Sequence, residues 1–174
     1  MNPKLEKKIK KVKMLILDVD GVLTTGLINI DNQGNETKNF HVLDGFGIVL
    51  FHKAGFHSAI ISARAADAVR LRAEDLGIKN IYQDAKPKTK AFEQILKDYS
   101  LRAEEVCFMG DDLPDLCLLN KVGLAVSVPN GSSEAQAAAD YVTQKRGGDG
   151  AVREVIELIL KGKGLWEQIL KNMS

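Results

Sequence analysis

Short apolar runs alternate along the chain with segments whose apolar residues recur at helical spacing. The runs are four to six residues long, which is too short for helices, and we interpret them as strands. They cover residues 13–18, 57–62, 80–83, 105–110, 124–128 and 140–143. The intervening patterns predict helices over residues 43–54, 65–76, 88–99, 113–121 and 132–139. This alternation is typical of βαβ units.

Strands that are apolar throughout and separated by helices predict a central parallel sheet covered on both faces. The expected fold class is therefore α/β, in a three-layer α/β/α, Rossmann-like arrangement. Residues 26–42 break the rhythm, because they form two alternating patterns around a turn at residues 32–35. We predict an inserted β-hairpin there, within a single domain over residues 1–174 whose C-terminal tail begins near residue 145.

Composition narrows the possible classes of function. The 174 residues are 45% hydrophobic, and 24 Lys and Arg against 23 Asp and Glu leave a formal charge of +1. No global charge attracts nucleic acid or an anionic membrane, so we predict neither partner. No apolar run approaches the ~18 residues of a membrane span, and the N-terminus lacks a signal core. Cys107 and Cys117 have no metal-ligand spacing, which favours reduced thiols and a cytoplasmic location.

Charged and polar residues follow four of the predicted strands. A parallel sheet binds its ligands outside the carboxyl ends of its strands, so these residues should meet at one edge. Each of them has an ordinary alternative as a turn, cap or surface residue, and only their joint order indicates a site. In chain order they are Asp18, Asp20, Ser62, Lys88, Asp111 and Asp115.

These residue types fit phosphoryl transfer. Clustered carboxylates repel one another unless a cation lies among them, and ligands that are all oxygens suit Mg²⁺. Asp18 is then a candidate nucleophile on phosphorus, and Asp20 a candidate acid and base for the leaving oxygen and the attacking water. Ser62 can donate to the phosphoryl oxygens, and Lys88 can offset negative charge in the transition state.

The stretches "LDVDGVLTTG", "FHVLDGFGI", "MGDDLPD" and "KRGGDGAVREV" resemble the haloacid dehalogenase (HAD) superfamily of phosphohydrolases. Within it the chain resembles the phosphatases of 3-deoxy-D-manno-octulosonate (KDO) 8-phosphate, over nearly its whole length. The resemblance implies the HAD fold and Mg²⁺-dependent hydrolysis of KDO 8-phosphate through an aspartyl phosphate, in lipopolysaccharide biosynthesis. It also implies a homotetramer, in which the hairpin builds the interface and the C-terminal tail approaches a neighbouring site.

The same resemblance implies roles for individual residues. The metal ligands would be Asp18, Asp111 and the backbone carbonyl of Asp20. Arg64 and Arg72 flank a predicted helix start, and we expect both to meet the carboxylate of a sugar acid. The full set of expected substrate contacts is Asp20, His41, Val42, Leu43, Asp44, Gly45, Arg64, Arg72 and Lys88.

The spacing of the motifs leaves no room for a cap domain. Only a hairpin and one helix fit between Asp20 and Ser62, and only a helix and a strand fit between Lys88 and Asp111. Such an open site suits a bulky substrate or needs a neighbouring subunit to cover it. The glycine-rich residues 146–150 are either a flexible loop before a helix or part of a lid over that neighbour's site.

Two alternatives remain for the function. Val49 stands where relatives that act on KDO 8-phosphate usually have a basic residue, which keeps the 2-keto-3-deoxynonulosonate 9-phosphate (sialic-acid type) phosphatases as an alternative. Arg64 argues against that alternative, because those enzymes tend to be acidic there. The alternative of another class is a catalytically silent regulatory or assembly module, which the intact set of catalytic residue types disfavours.

Overall fold

Six parallel strands form the central sheet of the computed structural model, which describes residues 2–173. The strands are β1 (Met14–Leu17), β4 (His57–Ile61), β5 (Asn80–Tyr82), β6 (Val106–Met109), β7 (Leu124–Ser127) and β8 (Tyr141–Val142). Their order across the sheet is β5-β4-β1-β6-β7-β8. The predicted parallel α/β fold is confirmed, and each predicted strand lies where the apolar pattern put it.

The helices cover both faces of this sheet. They are α1 (Pro3–Lys11), α2 (Val42–Lys53), α3 (Asp67–Asp75), α4 (Lys88–Asp98), α5 (Leu116–Leu119), α6 (Ser133–Ala138), α7 (Ala151–Gly162) and α8 (Trp166–Lys171). The helix predicted over 113–121 is wrong in extent, because residues Leu113–Asp115 form a 3₁₀ turn before the short α5. The Asp115 carboxylate accepts hydrogen bonds from the Asp111 and Asp112 amides, which closes the chain into that turn.

Alternate side chains of β1 supply the two halves of the core. Leu15 and Leu17 face the layer of α2, α3 and α7, whereas Met14 and Ile16 face the layer of α4, α5 and α6. All four side chains are fully buried. Burial on both faces explains why these strands are apolar throughout instead of alternating.

The predicted hairpin is present but short. Its strands are β2 (Asn29–Ile30) and β3 (Glu36–Thr37), which pair antiparallel and form a sheet of their own. The turn is fixed by Asp31, whose carboxylate accepts hydrogen bonds from the amides of Gln33 and Asn35. The predicted hairpin is confirmed, but each of its paired strands is only two residues long, as suits a two-stranded ribbon that is only marginally stable without a third strand.

The C-terminal tail packs on its own chain. The Trp166 ring lies 5.6 Å from the Arg153 guanidinium and 5.1 Å from the Lys161 ammonium, both on α7. Residues 147 and 148 press against the loop after β1. The first and last residues of the predicted domain, Met1 and Ser174, lie outside the described range. Within that range no helix combines the length and apolar character that a membrane span requires.

Candidate active site

An open cavity of about 250 Å³ lies at the carboxyl ends of β1, β4 and β6. The register of the sheet places it there, because Leu17 at the end of β1 pairs with Ile60 of β4 and Met109 of β6. The next residues of each strand therefore reach the same edge. The predicted residues among its lining are Asp18, Asp20, Ser62, Arg64, Lys88 and Asp111, together with Asp115.

A buried lysine joins two carboxylates at the floor of this cavity. The Lys88 ammonium lies 2.7 Å from Oδ1 of Asp18 and 2.6 Å from Oδ1 of Asp115, and its side chain is only 3% exposed. Burial lowers the pKa of Lys88, but the two carboxylates outweigh it and raise the pKa above its ordinary value. Lys88 therefore stays positively charged beside Asp18.

Three carboxylates converge beside that lysine. Oxygen atoms of Asp18, Asp111 and Asp115 lie within 4.8 Å of one another. Burial and then the charge of Asp115 raise the pKa of Asp18 to about 6, whereas burial and the charge of Asp18 raise the pKa of Asp111 to about 8. One lysine does not balance three acids, so the site fits a divalent cation held by oxygen ligands.

The oxygens of Asp115 are already engaged within the protein. Oδ1 lies beside Lys88, and Oδ2 accepts hydrogen bonds from the Asp111 and Asp112 amides at 2.9 and 3.2 Å. Asp115 thus orients the loop that carries Asp111. Sequence analysis placed Asp115 at this edge without a role, because its spacing is equally that of a helix cap.

Gly21 allows Asp111 to approach the loop after β1. Its φ of +88° is strained for other residues, and a Cβ there would lie 2.0 Å from Oδ2 of Asp111. The Asn130 amide holds the same loop, since Nδ2 donates to the Gly21 carbonyl at 2.9 Å and Oδ1 accepts from the Gly147 amide at 2.7 Å. The Asp-x-Asp-Gly spacing therefore serves packing as well as chemistry.

The Asp20 side chain lines the same cavity and contacts two cations there. Its Oδ1 lies 2.5 Å from the Lys38 ammonium, and its Oδ2 lies 3.6 Å from Nε of Arg64. Glu36 contacts the same two cations, at 2.8 Å each. Sequence analysis missed Lys38 and Glu36, because they lie in a polar hairpin where charged residues are ordinarily solvated.

Ser62 lies directly after β4 and is 2% exposed. Its hydroxyl accepts a hydrogen bond from the Arg64 amide at 3.2 Å. The hydroxyl proton remains to be donated, and Ser62 lines the cavity together with Asp18 and Lys88. This placement agrees with a contact to a phosphoryl group.

The loop expected to bind substrate lies outside this cavity. His41, Asp44, Gly45 and Arg72 line a separate, small cavity between α2 and α3. The Arg72 guanidinium bonds Asp75 of its own helix at 2.6 Å. Within one chain, Arg72 and Arg64 therefore line different cavities, and the expectation that both meet one carboxylate is not met there.

Asp44 has a structural partner instead of a place in the active-site cavity. Its oxygens accept hydrogen bonds from the Gly150 and Arg153 amides, at 3.3 and 2.8 Å, and so cap the N-terminus of α7. It is 1% exposed, and burial raises its pKa. Its neighbours Val42 and Leu43 are 72% and 50% exposed and face solvent in the single chain.

Comparison with known proteins gives one consistent answer. The family of haloacid dehalogenase-like hydrolases matches residues 59–156. The 3-deoxy-D-manno-octulosonate 8-phosphate phosphatase KdsC of Salmonella typhimurium is 42% identical over 94% of this chain and 87% of its own length. The Escherichia coli K12 protein of the same name is 43% identical over 90% and 84%.

A solved structure matches over its whole length. It is the 3-deoxy-D-manno-octulosonate 8-phosphate phosphatase from Moraxella catarrhalis in complex with magnesium ion, phosphate ion and KDO. It aligns with a TM-score of 0.97 at 38% identity, and the alignment covers 100% of both chains.

These matches, together with the acidic cavity, show that the chain belongs to the haloacid dehalogenase superfamily and is a phosphoric monoester hydrolase that uses Mg²⁺. Within that superfamily it is similar, over almost all of its length, to the KDO 8-phosphate phosphatases. The predicted enzyme class and cofactor are confirmed. The roles of single residues remain proposals.

Proposed function

We propose that this chain hydrolyses KDO 8-phosphate to KDO and phosphate through an aspartyl phosphate on Asp18, in lipopolysaccharide biosynthesis. The observation that carries the proposal is the contact of Asp18 with Lys88 beside Asp111, in a chain 42% identical to a KdsC phosphatase over 94% of its length. The phosphatase chemistry follows from the cavity, and the choice of sugar acid follows from the relatives.

Asp18 is the proposed nucleophile. Lys88 holds one of its oxygens at 2.7 Å and leaves the other for in-line attack on phosphorus. The proposed ligands Asp18, Asp111 and the Asp20 carbonyl hold the Mg²⁺, which supplies positive charge that offsets repulsion between carboxylate and phosphate. Ser62 donates its hydroxyl proton to a phosphoryl oxygen, and Lys88 stabilises the charge that develops there.

Asp20 is the proposed acid and base. It gives a proton to the sugar oxygen as the P–O bond breaks, and it later takes a proton from the water that hydrolyses the aspartyl phosphate. Its carboxylate lines the same cavity as Asp18 and is 21% exposed, so both substrate and water reach it.

We propose a homotetramer built on the hairpin, with a cytoplasmic location. The apolar side chains Leu27, Ile28 and Ile30 are 69%, 44% and 64% exposed in the single chain, which an interface would cover. The expected contacts from residues 41–43, Gly45 and Arg72 then belong to a site completed between subunits, whereas Asp44 remains the cap of α7. Light scattering after size-exclusion chromatography at micromolar concentration tests this, and a monomer contradicts it.

A second candidate substrate is 2-keto-3-deoxynonulosonate 9-phosphate. Val49 favours it, because this half-buried side chain packs against the core and offers no charge to a carboxylate. Arg64 opposes it. It lines the cavity and presents a guanidinium where those phosphatases tend to be acidic.

The deciding experiment measures phosphate release with Mg²⁺ from KDO 8-phosphate, 2-keto-3-deoxynonulosonate 9-phosphate and 4-nitrophenyl phosphate. We expect kcat/KM to be highest for KDO 8-phosphate and to fall below detection in Asp18→Asn. A higher value for the nine-carbon substrate would favour the second candidate. Equal slow rates on all three would reject both sugar acids and leave the phosphatase chemistry in place.

A further inference from the structure

Lys38 lies in the hairpin, yet its charged end is buried against the active site. Its side chain is 2% exposed, although the hairpin around it is largely open to solvent. A buried ammonium is stable only when carboxylates surround it, and Lys38 contacts two, Asp20 at 2.5 Å and Glu36 at 2.8 Å. The two acids raise the pKa of Lys38 in spite of its burial, so it is charged.

Arg64 closes these contacts into a ring. Its Nη2 lies 2.8 Å from Glu36, and its Nε lies 3.6 Å from Asp20. The four charges alternate in sign around the ring, in the order Lys38, Asp20, Arg64, Glu36. Each oxygen of Asp20 thus faces a different cation, which restrains rotation of the carboxylate about its side-chain bonds.

We propose that Lys38 is a positioning residue of the hydrolysis, which holds the Asp20 carboxylate in the orientation that proton transfer requires. The inference rests on the proposed function, since it takes Asp20 as the acid and base. General acid and base catalysis depends on geometry, because the proton donor must lie within hydrogen-bond distance of the leaving oxygen. Nothing in that role requires Lys38 to touch the substrate.

The alternative is that Lys38 only anchors the hairpin. Two readouts separate the roles. A sugar alkoxide leaves poorly and needs a proton, whereas 4-nitrophenolate leaves readily without one, so an effect through Asp20 depends on the leaving group. An effect through Asp20 also disappears when Asp20 is already disabled, as a double-mutant cycle measures.

The experiment compares wild type, Lys38→Met, Asp20→Asn and the double variant, each assayed with Mg²⁺ on KDO 8-phosphate and on 4-nitrophenyl phosphate. For Lys38→Met we expect kcat/KM to fall about 30-fold or more on the sugar phosphate and less than about fivefold on the aryl phosphate. The double variant should be no slower than Asp20→Asn alone on either substrate. Lys38→Arg, which keeps the charge, should recover most of the loss.

Controls distinguish failure of this inference from failure of the proposed function. Lys79→Met changes an exposed lysine and should match wild type on both substrates. Equal losses on both substrates for Lys38→Met, or losses that multiply with those of Asp20→Asn, overturn the positioning role while Asp20 keeps its own. If Asp20→Asn alone does not slow the sugar phosphate, the proposed acid and base assignment fails instead. Should Lys38→Met not fold, Lys38→Arg decides instead: any loss confined to the sugar phosphate would support the positioning role, and equal losses on both substrates would overturn it.

Discussion

Lys88 should contribute strongly to the stability of the folded protein without bound metal. Its ammonium is shared by Asp18 and Asp115, which are themselves almost fully buried. Replacing it with Met leaves two acids facing each other without a cation. Because breaking a buried ion pair typically costs 3–5 kcal/mol, we expect Lys88→Met to lower the free energy of unfolding by about 3 kcal/mol.

Urea unfolding at pH 7 in the presence of EDTA measures this loss. The matched control is Lys90→Met on the same helix, whose exposed side chain should change stability by less than about 0.5 kcal/mol. Added Mg²⁺ should reduce the difference between Lys88→Met and wild type, because the variant has one positive charge fewer in the site and should bind the cation more tightly in its folded state. Equal stabilities for the two variants in EDTA would contradict the account of the buried lysine.

Glu105 gives the protein a pH dependence away from the active site. The Lys13 ammonium at 2.6 Å and the Arg102 amide at 2.9 Å lower its pKa to about 2 from the ordinary 4.5. The folded state therefore binds fewer protons than the unfolded state, so the stabilisation is full above about pH 5 and disappears as the pH falls towards 2. Lys13 is exposed, which limits the size of the effect through solvent screening.

We therefore expect Glu105→Gln to be less stable than wild type at pH 7, with a difference that narrows steadily between pH 5 and pH 2. Thermal unfolding across that range, followed by circular dichroism, measures it. Glu93→Gln, at an exposed position, should show no such convergence. A difference that is constant with pH would mean that Glu105 acts through packing and not through its charge.

A residue of the site could be predicted from the sequence only where its neighbours along the chain formed a recognisable pattern. Asp18, Ser62, Lys88 and Asp111 stand directly after strands or at a helix start, so the sheet order brings them together. Lys38 has no such signal, because its position follows from how the hairpin folds back over Asp20. Its role depends on a tertiary contact that no local pattern encodes.

Among the elements, helix α7 depends on a residue from α2. Asp44 accepts hydrogen bonds from two amides of the first turn of α7, a turn that begins at glycine and has no capping side chain of its own. Losing a cap costs 0.5–2 kcal/mol, so we expect Asp44→Ala to lower the free energy of unfolding by about 1–2 kcal/mol. The kcat and KM should stay within about twofold of wild type.

Urea unfolding and steady-state kinetics on the same preparation test this assignment. Asp44→Asn keeps one acceptor oxygen and should lose less stability than Asp44→Ala. A large rise in KM with unchanged stability would instead support the substrate contact that the sequence resemblance implied.

The strands of the central sheet were predictable because burial on both faces requires apolar residues throughout. The strands β1, β4, β6 and β7 are apolar runs for that reason. The elements outside that sheet were predicted less accurately. The hairpin and the 113–121 region were predicted at the wrong length, because local periodicity does not show where pairing partners end. The turn at Asp115 and the two-residue strands are both fixed by specific hydrogen bonds.

At the scale of the whole molecule, the sheet gathers the site residues at one edge and the hairpin contacts that edge. The neighbouring strands β4, β1 and β6 bring the Ser62 hydroxyl, the proposed nucleophile Asp18 and the proposed metal ligand Asp111 to one edge. The hairpin extends from that edge and contacts it through Lys38 and Glu36. Association through the hairpin would therefore bear directly on the position of Asp20.

A charged residue introduced among the exposed apolar side chains of the hairpin tests whether association through the hairpin affects activity. Leu27 is 69% exposed and lies outside the two paired strands, so Leu27→Lys should disrupt an interface without removing any contact of the ionic ring. Burying an unpaired lysine between subunits is unfavourable, and we expect light scattering to show dissociation at micromolar concentration. The dissociated protein should lose kcat/KM on the sugar phosphate by about tenfold or more, because residues 41–43, Gly45 and Arg72 no longer reach a neighbouring cavity. Asn32→Lys, at the exposed hairpin turn, adds the same charge outside the apolar cluster and should leave both mass and activity unchanged. Full activity in a monomeric Leu27→Lys protein would mean that each chain carries a complete site, and that the open cavity alone selects its substrate.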